Sequence, residues 1–315
     1  MGMQSFNAKY CCVWCKCPSH LRFDTNREWP MLDEQKGART VEEISAFAQS
    51  KGKSVQFGCA SAPLFSVIPV SRVVPDTLHL FLRIADQLIG HILVELNTRD
   101  NLPKKSAGAF NIEKHHNIHK FELFIQSLGI EWMFCVDKAS NLITARDFTG
   151  PELWKIMTNI SLSEIIPDHP KLSNIEQLWK SFIALIVELK SQIEGEDLVK
   201  FQHAAKAWLG LFCEVYLSKD VTPYMLVLAY HLPESLRLHG NLSLFNQQGL
   251  EKLNDRITSW FFRATSHKGT VAFQQIMEKQ NRINFLGKSC SRTGVKLICS
   301  KCKGKGHNVR TCPQR

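Results

Sequence analysis

The most specific chemistry in this 315-residue chain sits near its end, where Cys299, Cys302, His307 and Cys312 follow one another with two, four and four residues between them. Three thiols and an imidazole are donors that a zinc ion takes at the corners of a tetrahedron. A segment this short presents all four only if the close cysteines form a turn and the last two ligands return after short loops, and the 2-4-4 spacing allows both. Gly304 and Gly306 permit the tight backbone, and Lys301, Lys303, Lys305 and Arg310 are expected to face outward, toward phosphates. This CCHC zinc knuckle has no core, so metal binding would supply most of its folding free energy.

Knuckles of this kind commonly bind single-stranded RNA or DNA. No aromatic residue stands between these ligands. Base stacking should therefore be weak, and binding driven by charge, sensitive to salt and nearly indifferent to sequence. A second cysteine group lies near the start, in Tyr10-Cys-Cys-Val-Trp-Cys-Lys-Cys17, where Cys12-x2-Cys15 is half of a zinc site among apolar neighbours. Its remaining ligands must come from elsewhere: from His231, from nearby His20, or from His115, His116 and His119, of which His115 and His119 share a helical face.

Composition agrees with these metal sites. The 44% hydrophobic and 22% charged residues are the balance of a soluble globular protein. The opening residues carry cysteines and charges in place of an apolar signal segment, and no uninterrupted apolar run reaches the roughly 18 residues that a membrane span needs. A soluble, intracellular protein with no membrane partner is expected. Eleven cysteines, an odd number in a long chain, fit metal binding in a reducing compartment better than a disulfide framework. The net charge of +10 is concentrated at the end, because from Arg282 onward there are nine Lys or Arg and no Asp or Glu. That tail calls for a polyanionic partner; the rest of the chain is near neutral.

The elements that must position these ligands read as mostly helical. Helices are expected over Val41 to Lys51, Asp76 to Leu96, Ile112 to Leu128, Ser173 to Ile193, Leu198 to Leu217, Pro223 to Leu238, Phe245 to Thr265 and Ala272 to Ile283, with few and short strands. The clearest follows Pro75: Leu78, Phe81, Leu82, Ala85, Leu88, Ile89, Ile92 and Leu93 recur at helical spacing, and Asp76 stands where an N-cap belongs. Near Gly287 the composition changes, and Gly-Lys-Ser-Cys-Ser-Arg-Thr-Gly reads as a linker. The expected organisation is a helical zinc-binding region over residues 1–285, a linker over 286–298 and the knuckle over 299–312.

Three segments together resemble the zinc-binding and catalytic regions of the V(D)J recombination-activating recombinase and its Transib-type transposase relatives. They are Tyr10-Cys-Cys-Val-Trp-Cys, Pro75-Asp-Thr-Leu-His-Leu, and Val221-Thr-Pro-Tyr-Met-Leu-Val-Leu-Ala-Tyr-His-Leu-Pro-Glu continuing through Gly240 to Glu251-x2-Asn254. The resemblance spans Tyr10 to Ile283 and rests on order and spacing. The Gly-His-Asn-x-Arg-Thr-Cys ending lies outside it and is similar to knuckles appended to Mutator-type transposases. In the recombinase family a ribonuclease H-like core carries Asp, Asp and Glu around two magnesium ions about 4 Å apart, which drive DNA cleavage and strand transfer. A helical zinc-binding insertion precedes the Glu.

The resemblance makes Glu251 the match to the catalytic Glu, and Cys12, Cys15 and His231 the matches to three ligands of a structural zinc. Glu251 by itself also reads as an exposed acid welcomed by a helix start. Two departures stand out. The family's second zinc-ligating His, five positions before His231, is Leu226 here, and both catalytic Asp residues belong to strands before the cysteine pair, whereas this chain begins eleven residues before Cys12. One carboxylate cannot hold two magnesium ions. The resemblance therefore implies a mainly α fold: the helical insertion and C-terminal part of a ribonuclease H-like transposase core, with a knuckle added. It implies a zinc- and nucleic-acid-binding protein without independent catalysis, with DNA as partner of the body, an oligomer left open, and nuclear residence. The alternative is a fragment of an active transposase whose Mg2+ site other residues complete, whether from a separate chain or from acids such as Asp76 and Asp86.

Overall fold

A computed structural model describes residues 2–5, 7–50, 56–100, 116–131, 134–136, 143–145, 147–245 and 247–292. The knuckle and its flanking lysines and arginine lie outside the described residues. The chain divides into two compact units, Met1–Asn246 and Gln247–Arg315.

In the first unit the N-terminal residues run without long elements to α1 (Val41–Gln49), where the Thr40 side chain accepts from the Glu43 N–H. Asp76 caps α2 (Thr77–Arg99), accepting from the Leu78 and His79 N–H groups at 3.0 and 3.4 Å and relieving two donors that a helix start leaves unpaired. The expected periodicity of α2 becomes its buried stripe: Leu80, Phe81, Ile84, Ala85, Leu88, Ile89, Ile92, Leu93 and Leu96 face the core, while Leu78 and Leu82 fall at its margin. By length and composition α2 could cross a membrane; here it is a core helix, packed by its neighbours. Asp100, just past its end, accepts from the backbone N–H groups of Asn117 and Ile118 and so caps α3 (His116–Ser127) from another helix.

Next come an antiparallel hairpin of β1 (Phe134–Val136) and β2 (Ile143–Ala145), then α4 (Gly150–Asn159) and α5 (Leu162–Ile165). Neither α4 nor α5 is among the expected helices, although α4 carries a start signal, the Thr149 N–H donating to the Glu152 carboxylate at 2.7 Å. The helices α6 (Leu172–Glu188) and α7 (Gly195–Val215) pack as a pair sealed by Trp208, whose indole N–H donates to the Leu178 carbonyl at 3.0 Å and whose ring lies 5.5 Å from that of Phe182. The expected helix from Pro223 is a rod of three parts: α8 (Pro223–Leu226), a wider turn (Val227–His231) and α9 (Leu232–His239).

The second unit holds α10 (Gln248–Ala264) and α11 (Gly269–Arg292), packed together. The Trp260 ring is flanked by the Arg256 and Lys279 side chains at 6.0 and 5.2 Å. Two expectations change here. The region over residues 1–285 is two units, and helix α11 continues through Gly287 to Arg292, into the segment expected to be a linker. One glycine without a proline costs a formed helix about 1 kcal/mol, too little to stop propagation. The architecture is mainly helical, and among the described residues the hairpin is the one sheet.

Candidate metal centre

Pro233 is the reason the rod is not one regular helix. A proline has no N–H to donate, and its ring collides with the carbonyl four residues back, here that of Ala229. The rod accommodates it by widening before it: the Leu232 N–H reaches back five residues, to the Val227 carbonyl. Residues five apart are stacked by such a turn as residues four apart are stacked by an α-helix. His231 closes the wide turn, fully buried.

Against this turn lies the N-terminal segment, tied to the rod at several points. The Met31 N–H donates to the Glu234 carboxylate at 2.6 Å, the Ser235 hydroxyl donates to the Met31 sulfur at 3.5 Å, and the Tyr230 hydroxyl donates to the Asp24 carbonyl at 3.3 Å. Within the segment, the Arg39 N–H donates to the Trp14 carbonyl and the Lys16 N–H to the Gly37 carbonyl, so residues 14–16 run extended beside 37–39. The buried Arg39 guanidinium also donates to the Cys15 and Phe57 carbonyls. The Trp14 indole N–H donates to the Val73 carbonyl at 2.9 Å, and its ring lies 5.4 Å from that of His231.

These constraints bring Cys12, Cys15 and His231 together, with all their ligand atoms within 4.8 Å of one another. Cys12 Sγ and His231 Nε2 are 3.2 Å apart across 219 residues of sequence. Cys12 is 6% exposed, and Cys15 and His231 are fully enclosed at 0%. Burial would by itself raise the Cys12 thiol, but the hydrogen bond from Cys15 and the contact with His231 outweigh it and hold Cys12 well below the usual thiol range. Cys15 moves well above that range, first through burial and then through the hydrogen bond it gives Cys12. Of the two thiols Cys12 is the more readily deprotonated, and binding of a metal releases thiol protons.

The donor set fits a soft or borderline cation such as zinc. A tetrahedral ion with Zn–S of about 2.3 Å and Zn–N of about 2.0–2.1 Å sets its sulfur and nitrogen ligands about 3.5 Å apart, so the Cys12–His231 contact need open by only a few tenths of an ångström. His231 Nδ1 is buried without a hydrogen-bond partner among the described residues. Nε2, the nitrogen that faces the thiols, is the one placed to ligate, which would leave the proton on Nδ1. This is the one group of three metal-binding side chains found among the described residues.

Of the other expected ligands, His20 is exposed, His116 is exposed, His119 pairs with Glu122 at 3.1 Å, and His115 lies outside the described residues. His231 is the partner that closes the half site. Leu226 is buried at the start of the wide turn, five residues before His231. Glu251 lies in the first turn of α10, in the second unit, and is half-buried. The Asp76 carboxylate is taken up by its cap and by His79 Nδ1, and Asp86 lies beside Arg83 at 3.5 Å. Cys299, Cys302, His307, Cys312, Lys301, Lys303, Lys305 and Arg310 are outside the described residues. Sequence reasoning did not pick out Pro233, Arg22 or Cys17. Pro233 had a signal, a proline inside a helical run, and Cys17 had one in its place two residues after Cys15; Arg22 had none. Compared with known proteins, the chain matches no family model and no curated protein.

Proposed function

We propose that this chain is a transposase-derived protein that binds zinc and nucleic acid and does not cut DNA by itself. The observation that carries the proposal is the meeting of Cys12, Cys15 and His231 from 219 residues apart, because it is the convergence that the resemblance to the recombinase family requires. In this reading the helical body is the zinc-bearing insertion and C-terminal part of a ribonuclease H-like transposase core. DNA is its partner, the nucleus its location, and one zinc ion its structural centre. A second zinc orders the knuckle of Cys299, Cys302, His307 and Cys312, where Lys301, Lys303, Lys305 and Arg310 meet phosphates of single-stranded RNA or DNA.

Independent catalysis is left out for a reason of charge. Two divalent ions held close together need several carboxylates, and the resemblance supplies Glu251 alone. Purified chain should therefore nick supercoiled plasmid in magnesium no faster than its Glu251→Gln variant. Binding has its own test. Four phosphate contacts on a single strand give a salt slope of about −2.8, so affinity for an oligonucleotide should fall about 50-fold between 50 and 200 mM salt. Cys302→Ser should abolish that binding. Unchanged binding by the variant would show that the basic tail alone does the work and would refute the reading of the knuckle.

A further inference from the structure

Three ligands leave a tetrahedral ion one short, and a further buried thiol stands two residues after Cys15. We propose that Cys17 completes the metal centre, making it a site of three thiolates and one imidazole. The inference rests on the centre at Cys12, Cys15 and His231 and specifies its remaining ligand.

The backbone supplies the first reason. Residues 14–16 run extended, paired beside 37–39 through the Lys16 and Arg39 N–H groups. Side chains alternate along extended backbone, so Cys15 and Cys17 turn to one side and Lys16 to the other. The alternation is visible: Cys15 and Cys17 are 0% and 1% exposed, whereas Lys16 reaches Glu43 at 2.7 Å. Cys17 is thus a buried thiol on the face that carries Cys15. Its Sγ donates to the Pro18 carbonyl at 3.5 Å and stands outside the group of ligand atoms within 4.8 Å of one another, so joining the ion means exchanging that hydrogen bond for the metal.

The rival positions fail on the same geometry. His20 is exposed, and Leu226, the residue that the wide turn stacks with His231, has no donor atom. Cys11 is turned toward Arg22, with Sγ 2.9 Å from a guanidinium nitrogen.

Charge supplies the second reason. Arg22 is 7% exposed, its Nε has no hydrogen-bond partner, and among the described residues it forms no ion pair with a carboxylate. A guanidinium does not lose its proton, and burying one without an anion is costly. Zinc with two thiolates and an imidazole is neutral and offers Arg22 nothing. With a third thiolate the centre carries one negative charge, and the Arg22 guanidinium, which donates to Cys11 Sγ beside Cys12, lies next to that segment. The buried arginine and the third thiolate offset each other.

The test uses the full chain with Cys299→Ser and Cys302→Ser, which silence the knuckle. Zinc X-ray absorption on this otherwise native protein counts the sulfur neighbours directly: three are expected, and two would overturn the proposal without any further variant. In the cobalt-loaded chain, Cys17→Ser should remove about a third of the thiolate-to-metal charge-transfer absorption. It should also weaken affinity by more than the roughly 10–100-fold that loss of an outer hydrogen-bond partner costs. Cys11→Ser should leave both unchanged, and Leu226→His should not tighten binding, since no ligand position is open. An unaltered spectrum in Cys17→Ser, or a tighter site in Leu226→His, would refute Cys17 as the ligand. Failure of the underlying centre looks different: the silenced chain would bind no metal at all, or would bind it equally well after Cys12→Ser.

Discussion

Removing zinc from the Cys12–Cys15–His231 centre should loosen the first unit by an amount that its geometry sets. His231 is 219 residues from Cys12, and holding the ends of a loop that long together costs an unfolded chain about 5 kcal/mol. The unfolded chain therefore meets zinc with the local cysteines alone, and the complete site belongs to the folded state. Binding to the folded state stabilises it by about 4 kcal/mol when free zinc is about 1,000 times Kd. For a unit spanning Met1–Asn246, each kcal/mol moves Tm by about 2–4 °C, so the expected rise is about 8–16 °C. The assay is thermal unfolding of the knuckle-silenced chain with excess zinc and with chelator, followed by near-UV circular dichroism, which reports the packing of the buried aromatic side chains, Trp14 among them. His231→Ala should abolish most of the rise while leaving a folded protein. A Tm that ignores zinc in the folded native chain, or that rises equally in His231→Ala, would refute the reasoning.

Two further predictions concern the elements that hold the site. Pro233→Ala restores an N–H and removes the clash with the Ala229 carbonyl, so the rod can close toward a regular helix and swing His231 by up to about 100°. Helix content should persist while zinc affinity falls on the order of 10–100-fold in a competition titration, and unchanged affinity would show that the wide turn does not aim the imidazole. His91 stacks on Tyr216 with ring centroids 3.9 Å apart, and burial holds its pKa below the ordinary 6.5, opposed by the charge of Asp220. The folded form then resists a proton that the unfolded form accepts. Stability is present above the ordinary value and declines as pH falls from there to the lowered folded value, by at most about 1.4 kcal/mol per pH unit. Urea unfolding at pH 7.5 and 5.5 should show this decline in the native chain and less of it in His91→Phe.

Local pattern alone was enough for the helices that bury a regular stripe. Asp76 with the apolar repeat from Phe81 to Leu93 is a helix start and a core face in any globular context, and α2 is both. The cysteine pair was legible for a related reason: two donors three positions apart have a geometry of their own before anything else folds. Short α4 and α5 had too few turns to display a period. Gly287 read as punctuation, although a helix already formed passes through one glycine at small cost.

What no local pattern could decide was the partner of the half site. His231, His20 and the histidines near residue 119 are equivalent as letters, and the resemblance alone favoured the first. Tertiary structure separates them through burial, since the ties of Met31, Tyr230 and Trp14 fold the N-terminal segment onto the rod and leave His20 in solvent. The same enclosure makes a ligand candidate of Cys17 and leaves Arg22 in need of an anion. Sequence determines which side chains can bind a metal; which of them meet depends on long-range packing, because only the folded chain bears the entropy of bringing residue 12 to residue 231.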